Sequence, residues 1–433
     1  MKKSALLYAV IMAGCLGIVS CNGGSYGGSS GGSSSTLPPS KLTERIFASQ
    51  SASGTSIPGA LVIIDGELDT LGRGEVGAGT SPGLMAITPE KSIVMVFDIA
   101  TNKVDVVSTK SEAVTGIVQL PGSTTSMVAP LPSAGYVAVP SAPFSGGVSP
   151  GAVVAVNLTS PSVIAVISVP NAQTVVSNSS GTQVLAFSND SDAVTVVSPL
   201  LLNSGSPVTV SVPGFDRPVY AVYSSDGSTA YVLNCGAQCG GTQASVQPLD
   251  VTTTPPTPGI PVPVDAATIG FLNGTTLYVV GTPPTNNACT GEITAAKTCG
   301  RLSIVDTGAM TVTSTLVITD GYHNRIDLSM GGQLFIGSMD CTNVGNVNNV
   351  TGEVRGCLSI FNTLNNSVLI PADNGDVTGL QSFSSRDVEY VAEGGNLRVY
   401  DTLTDTLLEN QYISTGTIII TGVITDVKAV DFF

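Results

Sequence analysis

The chain has 433 residues, of which 11% are charged, and its formal net charge is -15. Its hydrophobic residues, 42% of the total, are interrupted by 49 Gly and 26 Pro. No long stretch shows the 3.6-residue period of an amphipathic helix, which excludes a helical protein. Short Val-rich runs between turn residues instead predict many short strands. The acidic balance would repel a phosphate backbone, so we predict no nucleic-acid partner.

The first twenty residues predict export. Met1–Lys3 is basic and Ser4–Ser20 is almost wholly apolar or small, which is typical of a secretory signal peptide rather than a membrane span. The segment Ile18-Val19-Ser20-Cys21 resembles the bacterial lipobox. The resemblance implies a lipoprotein signal peptide over residues 1–20 and a lipid-modified Cys21 at the mature N-terminus, in the bacterial cell envelope. A cut at Cys15 and an ordinary signal peptide are the alternatives.

The next segment, residues 21–41, is rich in Gly and Ser and contains Pro38-Pro39. This composition predicts a flexible tether. The predicted domains are therefore a signal peptide over 1–20, a tether over 21–41 and a folded body over 42–433.

The folded body repeats one pattern of four strands, here called a to d. A short apolar a strand leads to a stronger b strand, and an alternating c strand ends in Asp or Asn before a last d strand. The clearest c strands are Leu302–Asp306, Leu358–Asn362 and Leu397–Asp401. Eight a strands are predicted to start near Leu84, Ser126, Thr174, Val219, Ala267, Asn324, Leu380 and Val427. This spacing indicates an all-β propeller of four-stranded blades, which bury their faces by stacking radially.

The two ends of the body indicate a closed ring. Arg45–Ala78 has the pattern of b, c and d strands without an a strand, and Asp426–Phe433 has that of an a strand with nothing after it. One blade is then shared between the termini, which gives eight blades. Seven is the alternative, because the unit that starts at Thr174 is weak.

The segment Asp226–Asn234 resembles the core of the YVTN-type propeller repeat, with an Asp-Gly turn before Tyr231-Val232-Leu233. Leu302–Thr307 and Leu397–Thr402 resemble the later strand of that repeat and its Asp-Thr turn. Leu233 stands where the repeat has Thr. The family includes surface-layer proteins, binding modules and lactonase-like enzymes, so the resemblance implies fold more than function.

Six further cysteines fall as one pair in each of three successive units, always between strands b and c. The pairs are Cys235 with Cys239, Cys289 with Cys299, and Cys341 with Cys357. An even count in an exported chain favours disulfides, and local pairing is the simplest of the 15 connectivities. A zinc site is the alternative, but no His neighbours the pairs. Because b–c and d–a loops of a propeller emerge on one face, we expect a rigid raised patch there, which serves either to bind a partner or to protect long loops from proteolysis.

Catalytic chemistry is weakly represented. Gly79–Gly83 and Gly147–Gly151 match G-x-S-x-G, but Pro follows each Ser and no helix follows. The only histidine, His323, precedes Asp327 on an a strand and has the type of side chain that acts as a general base. Its neighbour in that role would be Asp327 or Arg325. A lone histidine is more often structural, and that is the preferred interpretation. We predict no catalytic residue, no metal site and no cofactor.

One acidic turn is a further candidate for a binding site. Asp65, Glu67 and Asp69 alternate at the end of a predicted strand, and oxygen ligands at this spacing suit Ca²⁺. No full Ca²⁺-loop motif is present, so a solvated acidic turn is the preferred interpretation.

Three functions follow from these observations. The first is a non-enzymatic, lipid-anchored propeller that binds a protein or glycan or scaffolds an assembly. The second is a propeller enzyme of lactonase or hydrolase type, and the third is a structural subunit that self-associates. The first is preferred because few ionisable residues lie on the predicted a strands.

Overall fold

The computed structural model describes most of the chain from residue 38 onward. The described residues are 38–52, 58–144, 148–198, 208–284, 298–342, 356–372 and 374–431. The predicted signal peptide, Cys21, most of the predicted tether and Cys289 lie outside these ranges. Within the ranges, no helix is both long and apolar enough to span a bilayer.

The described strands form eight antiparallel sheets, here called blades 1 to 8, with positions a to d counted from the inside outward. Blade 1 joins both ends of the body. It holds β1 (Arg45–Ser51), β2 (Ala60–Asp65) and β3 (Thr70–Val76) at positions b to d. Blade 2 holds β4 (Pro82–Ile87), β5 (Ile93–Asp98), β6 (Lys103–Ser108) and β7 (Ala113–Gln119). Blade 3 holds β8 (Ser126–Leu131), β9 (Ala134–Val139), β10 (Ala152–Asn157) and β11 (Ser162–Ser168). Blade 4 holds β12 (Ala172–Ser177), β13 (Val184–Ser188), β14 (Ala193–Ser198) and β15 (Val208–Pro213).

The second half of the ring repeats the plan with two divided outer strands. Blade 5 holds β16 (Pro218–Tyr223), β17 (Thr229–Asn234), β18 (Ser245–Asp250), β19 (Thr257–Pro258) and β20 (Val262–Pro263). Blade 6 holds β21 (Ile269–Asn273), β22 (Thr276–Gly281), β23 (Gly300–Asp306) and β24 (Thr311–Ile318). Blade 7 holds β25 (Tyr322–Leu328), β26 (Gln333–Met339), β27 (Leu358–Asn362) and β28 (Ser367–Leu369). Blade 8 holds β29 (Val377–Ser382), β30 (Val388–Glu393), β31 (Asn396–Asp401), β32 (Thr406–Leu407) and β33 (Thr417–Ile418). The a strand of blade 1 is β34 (Val423–Ala429).

The ring closes through β34. This strand pairs antiparallel with β1, from Ile46 opposite Ala429 to Ser51 opposite Val423. The eight inner strands also contact one another in order around the ring, with β29 against β34 and β34 against β4. The predicted all-β, eight-bladed propeller closed by both termini is therefore confirmed, and the weak unit at Thr174 is a complete blade 4.

The c–d turns explain why the c strands end in Asp or Asn. In blades 6, 7 and 8, Oδ1 of the terminal Asp306, Asn362 or Asp401 accepts a hydrogen bond from the backbone N–H two residues later, at 2.8 to 2.9 Å. The residue four positions later has a positive φ and leads into the d strand, as at Met310 and Asp405. Short polar side chains stabilise such turns by replacing a backbone acceptor.

The core is divided among the interfaces between blades. Eight clusters of buried apolar residues are present among the described residues, and each draws on two adjacent blades. Blades 6 and 7, for example, share Tyr278, Leu302, Ile336 and Phe361. Because a blade has two apolar faces, neighbouring blades bury one another and the inner strands stay fixed around the axis.

Strand alternation defines two faces of the ring. The b–c and d–a connections lie at one end of every blade, here called the upper face, and the a–b and c–d turns lie at the other end, the lower face. The cysteine-containing connections are b–c loops and therefore belong to the upper face, as predicted.

Candidate functional site

The upper face of blades 5, 6 and 7 carries the b–c loops that contain the six cysteines. In blade 5 this loop includes a 3₁₀ turn at Gly236–Cys239 and is described throughout. In blades 6 and 7 the described parts are the loop ends, up to residue 284 and from 298, and up to 342 and from 356. The candidate site is built from these described parts and is called the braced patch below.

Two local disulfides close these loops. Cys235 is bonded to Cys239, and Cys341 is bonded to Cys357 across a sequence separation of 16 residues. Cys299 is also disulfide-bonded, whereas the predicted partner Cys289 lies outside the described residues. Loop-closure entropy gives the 16-residue bridge a stabilisation of about 3 kcal/mol.

An aspartate on the d–a connection before blade 5 holds the blade 5 loop. The Asp216 carboxylate accepts hydrogen bonds from the backbone N–H groups of Thr242 and Gln243, at 3.0 and 2.7 Å, and from the Thr242 hydroxyl. Partial burial opposes ionisation of Asp216, but these donors outweigh it and lower the pKa of its carboxyl group. The loop is thereby fixed to the strand connection beside it.

The next aspartate joins the loops of two blades. Asp320 lies between β24 and β25 and is 2% exposed. Its carboxylate accepts a bond from the Thr342 backbone N–H at 3.0 Å and from the hydroxyls of Thr298 and Thr342. Thr298 belongs to the blade 6 loop and Thr342 to the blade 7 loop, so one buried carboxylate holds both.

Two further hydrogen bonds connect these loops to the blade 5 loop on one side and to the d–a connection before blade 8 on the other. Oε1 of Gln238 in the blade 5 loop accepts from the Thr282 backbone N–H in the blade 6 loop, at 3.2 Å. Asp376, on the d–a connection before blade 8, accepts from the Asp340 backbone N–H at 2.9 Å. The described loop ends of blades 5 to 7 thus form one connected surface, and loops already ordered lose less conformational entropy when a partner binds.

An exposed aromatic side chain lies inside this patch. Tyr322 begins β25 and is 57% exposed. The preceding Gly321 has a φ of 92°, and a Cβ there would lie 3.1 Å from Cys341 Sγ. The Gly321 carbonyl also accepts from the Thr282 hydroxyl at 2.9 Å. Tyr322 is therefore set between the blade 6 and blade 7 loops, with its ring presented to solvent.

His323 is not available for acid–base chemistry in this structure. It is 1% exposed, and neither ring nitrogen has a hydrogen-bond partner among the described residues. Burial lowers the pKa of His323 to about 4, against smaller opposing effects of the nearby Thr319 backbone and then of Asp320. Asp327 lies at the other end of β25, so the structure does not bring the predicted pair together, and the structural interpretation of His323 agrees with this geometry.

The inner strands contain few charged residues, as expected, but these are concentrated on two strands. Along the eight described inner strands, the charged residues are Arg325 and Asp327 on β25 and Asp426 and Lys428 on β34. These strands flank blade 8. The sequence indicated their rarity but not their clustering, which only the ring closure produces.

The acidic side chains on these strands accept hydrogen bonds from backbone N–H groups of the next blade's inner strand. Asp327 on β25 accepts from the Ser382 backbone N–H of β29 at 2.8 Å, and Asp426 on β34 accepts from the Met85 N–H of β4 at 2.8 Å. Between them, Gln381 on β29 accepts from the Ala429 N–H of β34 at 3.0 Å. An unpaired N–H at a buried edge is costly, so these side chains hold the ring together.

One carboxyl pair has an unusual environment. Glu389 on β30 is fully buried, and both its carboxyl oxygens lack a hydrogen-bond partner among the described residues. Burial, and next the neighbouring Asp327, raise the pKa of Glu389 well above its ordinary value. Burial also raises the pKa of Asp327. The pair lies between blades 7 and 8, with Glu389 fully buried and Asp327 half-buried.

The acidic turn proposed for Ca²⁺ is organised differently from a metal loop. Oδ1 of Asp65 accepts from the Glu67 backbone N–H at 3.0 Å. Asp69 is fully buried, not solvated, and pairs with Arg386 at 2.7 Å. It also accepts from the Tyr390 hydroxyl. No group of three metal-binding side chains converges anywhere in the described ranges.

A cleft of about 530 Å³ lies between the outer strands of blades 7 and 8. Leu369 and Tyr400 line it together with Leu407, and Asp405 and Glu409 give it an acidic edge. Burial, and next Asp401, raise the pKa of Asp405. Its volume is in the range of small-molecule sites. No sequence pattern predicts this cleft, because it depends on how two blades meet.

The sequence analysis also did not predict the aspartates that hold the b–c loops, although a sequence pattern marks them. Asp216, Asp265, Asp320 and Asp376 each stand within five residues of the start of an a strand, on four successive d–a connections. Three of the four hold b–c loops, as described above. An acid at one recurrent position, opposite the cysteine-containing loops, is the pattern that would have identified them.

Comparisons with known proteins agree with the fold. No protein-family model matches the chain, and no curated protein matches it. Among solved structures, dihydro-heme d1 dehydrogenase NirN in complex with DHE is 10% identical with a TM-score of 0.58, covering 91% of this chain and 76% of that chain. A structure described as the eukaryotic initiation factor is 11% identical with a TM-score of 0.53, covering 90% and 99%.

A putative 6-phosphogluconolactonase from Bacteroides fragilis is 10% identical with a TM-score of 0.49, covering 90% of this chain and 99% of that chain. That likeness is too slight to support an argument about activity. At such identities the matches show the fold alone. The chain is thus similar to these proteins in being a β-propeller.

Proposed function

We propose that this chain is an exported, lipid-anchored propeller of the YVTN type that binds a protein or glycan of the bacterial cell envelope through the braced patch. The observation that carries the proposal is that hydrogen bonds connect three adjacent loops around the exposed ring of Tyr322. Gln238 links the blade 5 loop to the blade 6 loop, and Asp320 links the blade 6 loop to the blade 7 loop. Asp216 and Asp376 hold the two outer loops to neighbouring d–a connections. The anchor is the lipid on Cys21 that the lipobox resemblance implies.

Rigid loops around an exposed tyrosine suit recognition. Tyrosine offers a large contact area with few rotatable bonds and a hydroxyl for hydrogen bonding, and it is enriched at binding hot spots. The salt bridge of Arg217 with Asp192, at 3.7 Å, and that of Arg301 with Asp265, at 3.6 Å, add charged groups at the edge of the patch. A protein surface or the ring face and hydroxyls of a sugar would fit this combination.

The YVTN assignment draws on the turn before β17. Asp226 Oδ1 accepts from the Ser228 backbone N–H at 3.0 Å, and Gly227 has a φ of 70°. An Asp-Gly turn of this kind is what the repeat requires before its b strand. The match lies in blade 5, which is also the first blade of the braced patch.

The enzyme alternative would draw on the inner strands. There Asp327 and Asp426 bond the backbone of neighbouring blades, and His323 is enclosed. A panel of lactones and esters tests this alternative directly. Turnover by the wild-type protein that is lost in His323→Ala or Asp327→Ala would favour an enzyme over a binding module.

Self-assembly is the remaining alternative. The outer strands of the blades have free edges, and such edges can pair between chains. Light scattering of the purified protein tests it: growth of particles with concentration would favour a structural subunit, and a monomer would favour the binding module.

The binding proposal is tested with a matched pair of tyrosines. Tyr322 and Tyr412 are 57% and 48% exposed, but Tyr412 lies in the segment between β32 and β33, on the outer part of blade 8. Binding of each variant to isolated cell-wall polysaccharide and to solubilised envelope proteins is measured by sedimentation. We expect Tyr322→Ala to weaken binding by about tenfold or more, as at an aromatic hot spot, and Tyr412→Ala to leave it within about twofold. Equal affinity of both variants would contradict the proposal.

A further inference from the structure

The chain enters the propeller on the lower face. β1 occupies position b, and a b strand runs from the lower to the upper face, so Arg45 lies at the lower end. The described segment before it follows the same face. The Glu44 carbonyl accepts from the Gly66 N–H in the c–d turn of blade 1 at 2.7 Å, and Glu112 in the c–d turn of blade 2 accepts from the Ser40 N–H at 2.6 Å. The braced patch lies on the opposite face.

Three of the most exposed apolar side chains in the described structure also lie on the lower face. Met330 in the a–b turn of blade 7 is 69% exposed, Leu364 in its c–d turn is 82% exposed, and Leu403 in the c–d turn of blade 8 is 69% exposed. The turns are neighbours. A Cβ on Gly332, beside Met330, would lie 3.6 Å from Leu364 Cγ, and one on Gly331 would lie 3.5 Å from Thr402 Oγ1. These three side chains are called the lower-face apolar cluster.

Two of the corresponding a–b turns have polar tips, whereas the c–d turn of blade 1 exposes Leu68 at 37%. The a–b turn of blade 2 is Thr88-Pro89-Glu90-Lys91-Ser92, and that of blade 5 is Ser224-Ser225-Asp226-Gly227-Ser228. The three neighbouring turns of blades 7 and 8 therefore expose more apolar side chain than these turns do. Exposed apolar side chains that lie together mark contact with another surface.

We propose that the lower-face apolar cluster rests on a zwitterionic lipid surface, so that the lipid anchor holds the propeller with its braced patch facing away from the membrane. This proposal rests on the proposed lipid anchor at Cys21. The occupant is argued from where the chain outside the structure joins: it reaches the propeller at residue 38, on the cluster's own face. The acids Asp401 and Asp405 beside the cluster disfavour anionic lipid.

A weak contact is sufficient in this arrangement. From Cys21 to Pro38 is 17 residues, and a chain of that length reaches at most about 60 Å in any conformation. That reach keeps the propeller close to the bilayer to which the acyl chains are attached. The contact is then an intramolecular event at high effective concentration, so three side chains suffice to orient the body.

The experiment uses the absence of tryptophan from the sequence. The full chain is expressed with its own signal peptide, and single-tryptophan variants Leu364→Trp and Leu403→Trp are compared with Ile99→Trp. Ile99 is 51% exposed and lies in the b–c connection of blade 2, on the upper face. Each purified variant is reconstituted into vesicles of phosphatidylcholine with brominated acyl chains, and tryptophan quenching is measured against unbrominated vesicles.

We expect about a twofold loss of emission for tryptophan at positions 364 and 403, because side chains at the interface reach the acyl region, and almost none at position 99. Equal quenching at both faces, quenching at position 99 alone, or none at all would overturn the orientation. Light scattering without vesicles tests a second copy as the occupant, and a dimer that Leu364→Ser dissolves would also overturn it.

Intact mass separates this inference from the proposed function. An acylated Cys21 with no quenching at positions 364 and 403 would overturn the lipid contact and leave the anchor standing. A mature protein without acyl chains would overturn the anchor and, with it, the orientation.

Discussion

Asp105→Asn is expected to stabilise the protein at neutral pH and not at acidic pH. Asp105 is on β6, opposite Val96 of β5 and Ile117 of β7, and is 2% exposed. Its side chain lies on the other face of the strand from the buried Val104 and Val106, and Oδ2 has no hydrogen-bond partner among the described residues. Burial, and next Asp98, raise the pKa of Asp105 from 3.8 to about 7.

The magnitude follows from proton linkage. A carboxyl group whose pKa is about 3 higher in the folded than in the unfolded state makes folding less favourable by up to about 4 kcal/mol once the pH exceeds both values. The cost is absent well below pH 3.8, where both states are protonated, and it grows as the pH rises from about 4 to about 7. Asparagine is neutral throughout and of nearly the same shape, so the variant escapes this cost.

The assay is urea unfolding of both proteins from pH 4 to pH 8, followed by far-ultraviolet circular dichroism. We expect the variant's advantage in unfolding free energy to rise from near zero at pH 4 to about 2 to 4 kcal/mol at pH 8. Asp190→Asn is the matched control, because the Asp190 side chain is 84% exposed, and we expect it to change stability by less than about 0.5 kcal/mol at every pH. An Asp105→Asn difference that does not vary with pH would refute the reasoning.

Three further predictions concern the ring closure, the buried His323 and the disulfide-closed loop of blade 7. Arg45→Met removes the guanidinium that bonds Asp431 at 2.6 Å across the closure and Glu112 of blade 2 at 2.9 Å. The free energy of unfolding should fall by about 3 kcal/mol, whereas Arg73→Met, at an exposed side chain, should leave it unchanged. The pKa of His323 is about 4 in the folded state and 6.5 in the unfolded state. The free energy of unfolding should therefore fall by up to about 3 kcal/mol as the pH drops from 6.5 towards 4. His323→Leu should not show that loss in acid unfolding. Replacing both Cys341 and Cys357 with Ser should lower stability by about 3 kcal/mol and speed proteolysis of their loop without changing the β-sheet signal. Unchanged proteolysis would contradict the bracing of that loop.

The architecture followed from the sequence because its signals are local. Each c strand could be recognised from its alternation and its terminal Asp or Asn, which form the turn within a few residues, as at Asp401. The inner strands were placed within five residues of their observed starts, and closure followed from the unpaired ends at Arg45 and Val427. Short-range turn chemistry and a period near fifty residues are sufficient for a ring of copies.

The site depended on contacts between distant parts of the chain. Asp320 joins Thr298 and Thr342, which are 22 residues away on either side, and Asp69 pairs with Arg386 across the closure, 317 residues away. The partner of an acidic side chain that is distant in sequence cannot be inferred from the sequence alone. Asp69 was therefore expected to be solvated, whereas the structure buries it. The lower-face apolar cluster was likewise not predicted, because its members are single residues in separate turns.

The most direct test of the braced patch is photocrosslinking in living cells. A benzophenone amino acid is placed at position 322, within the patch, or at position 412, on the outer part of blade 8, and the cells are irradiated before the envelope is solubilised. The account predicts a discrete crosslinked protein or glycan adduct from position 322 that is absent from position 412. No adduct at position 322, or the same adduct from both positions, would contradict it.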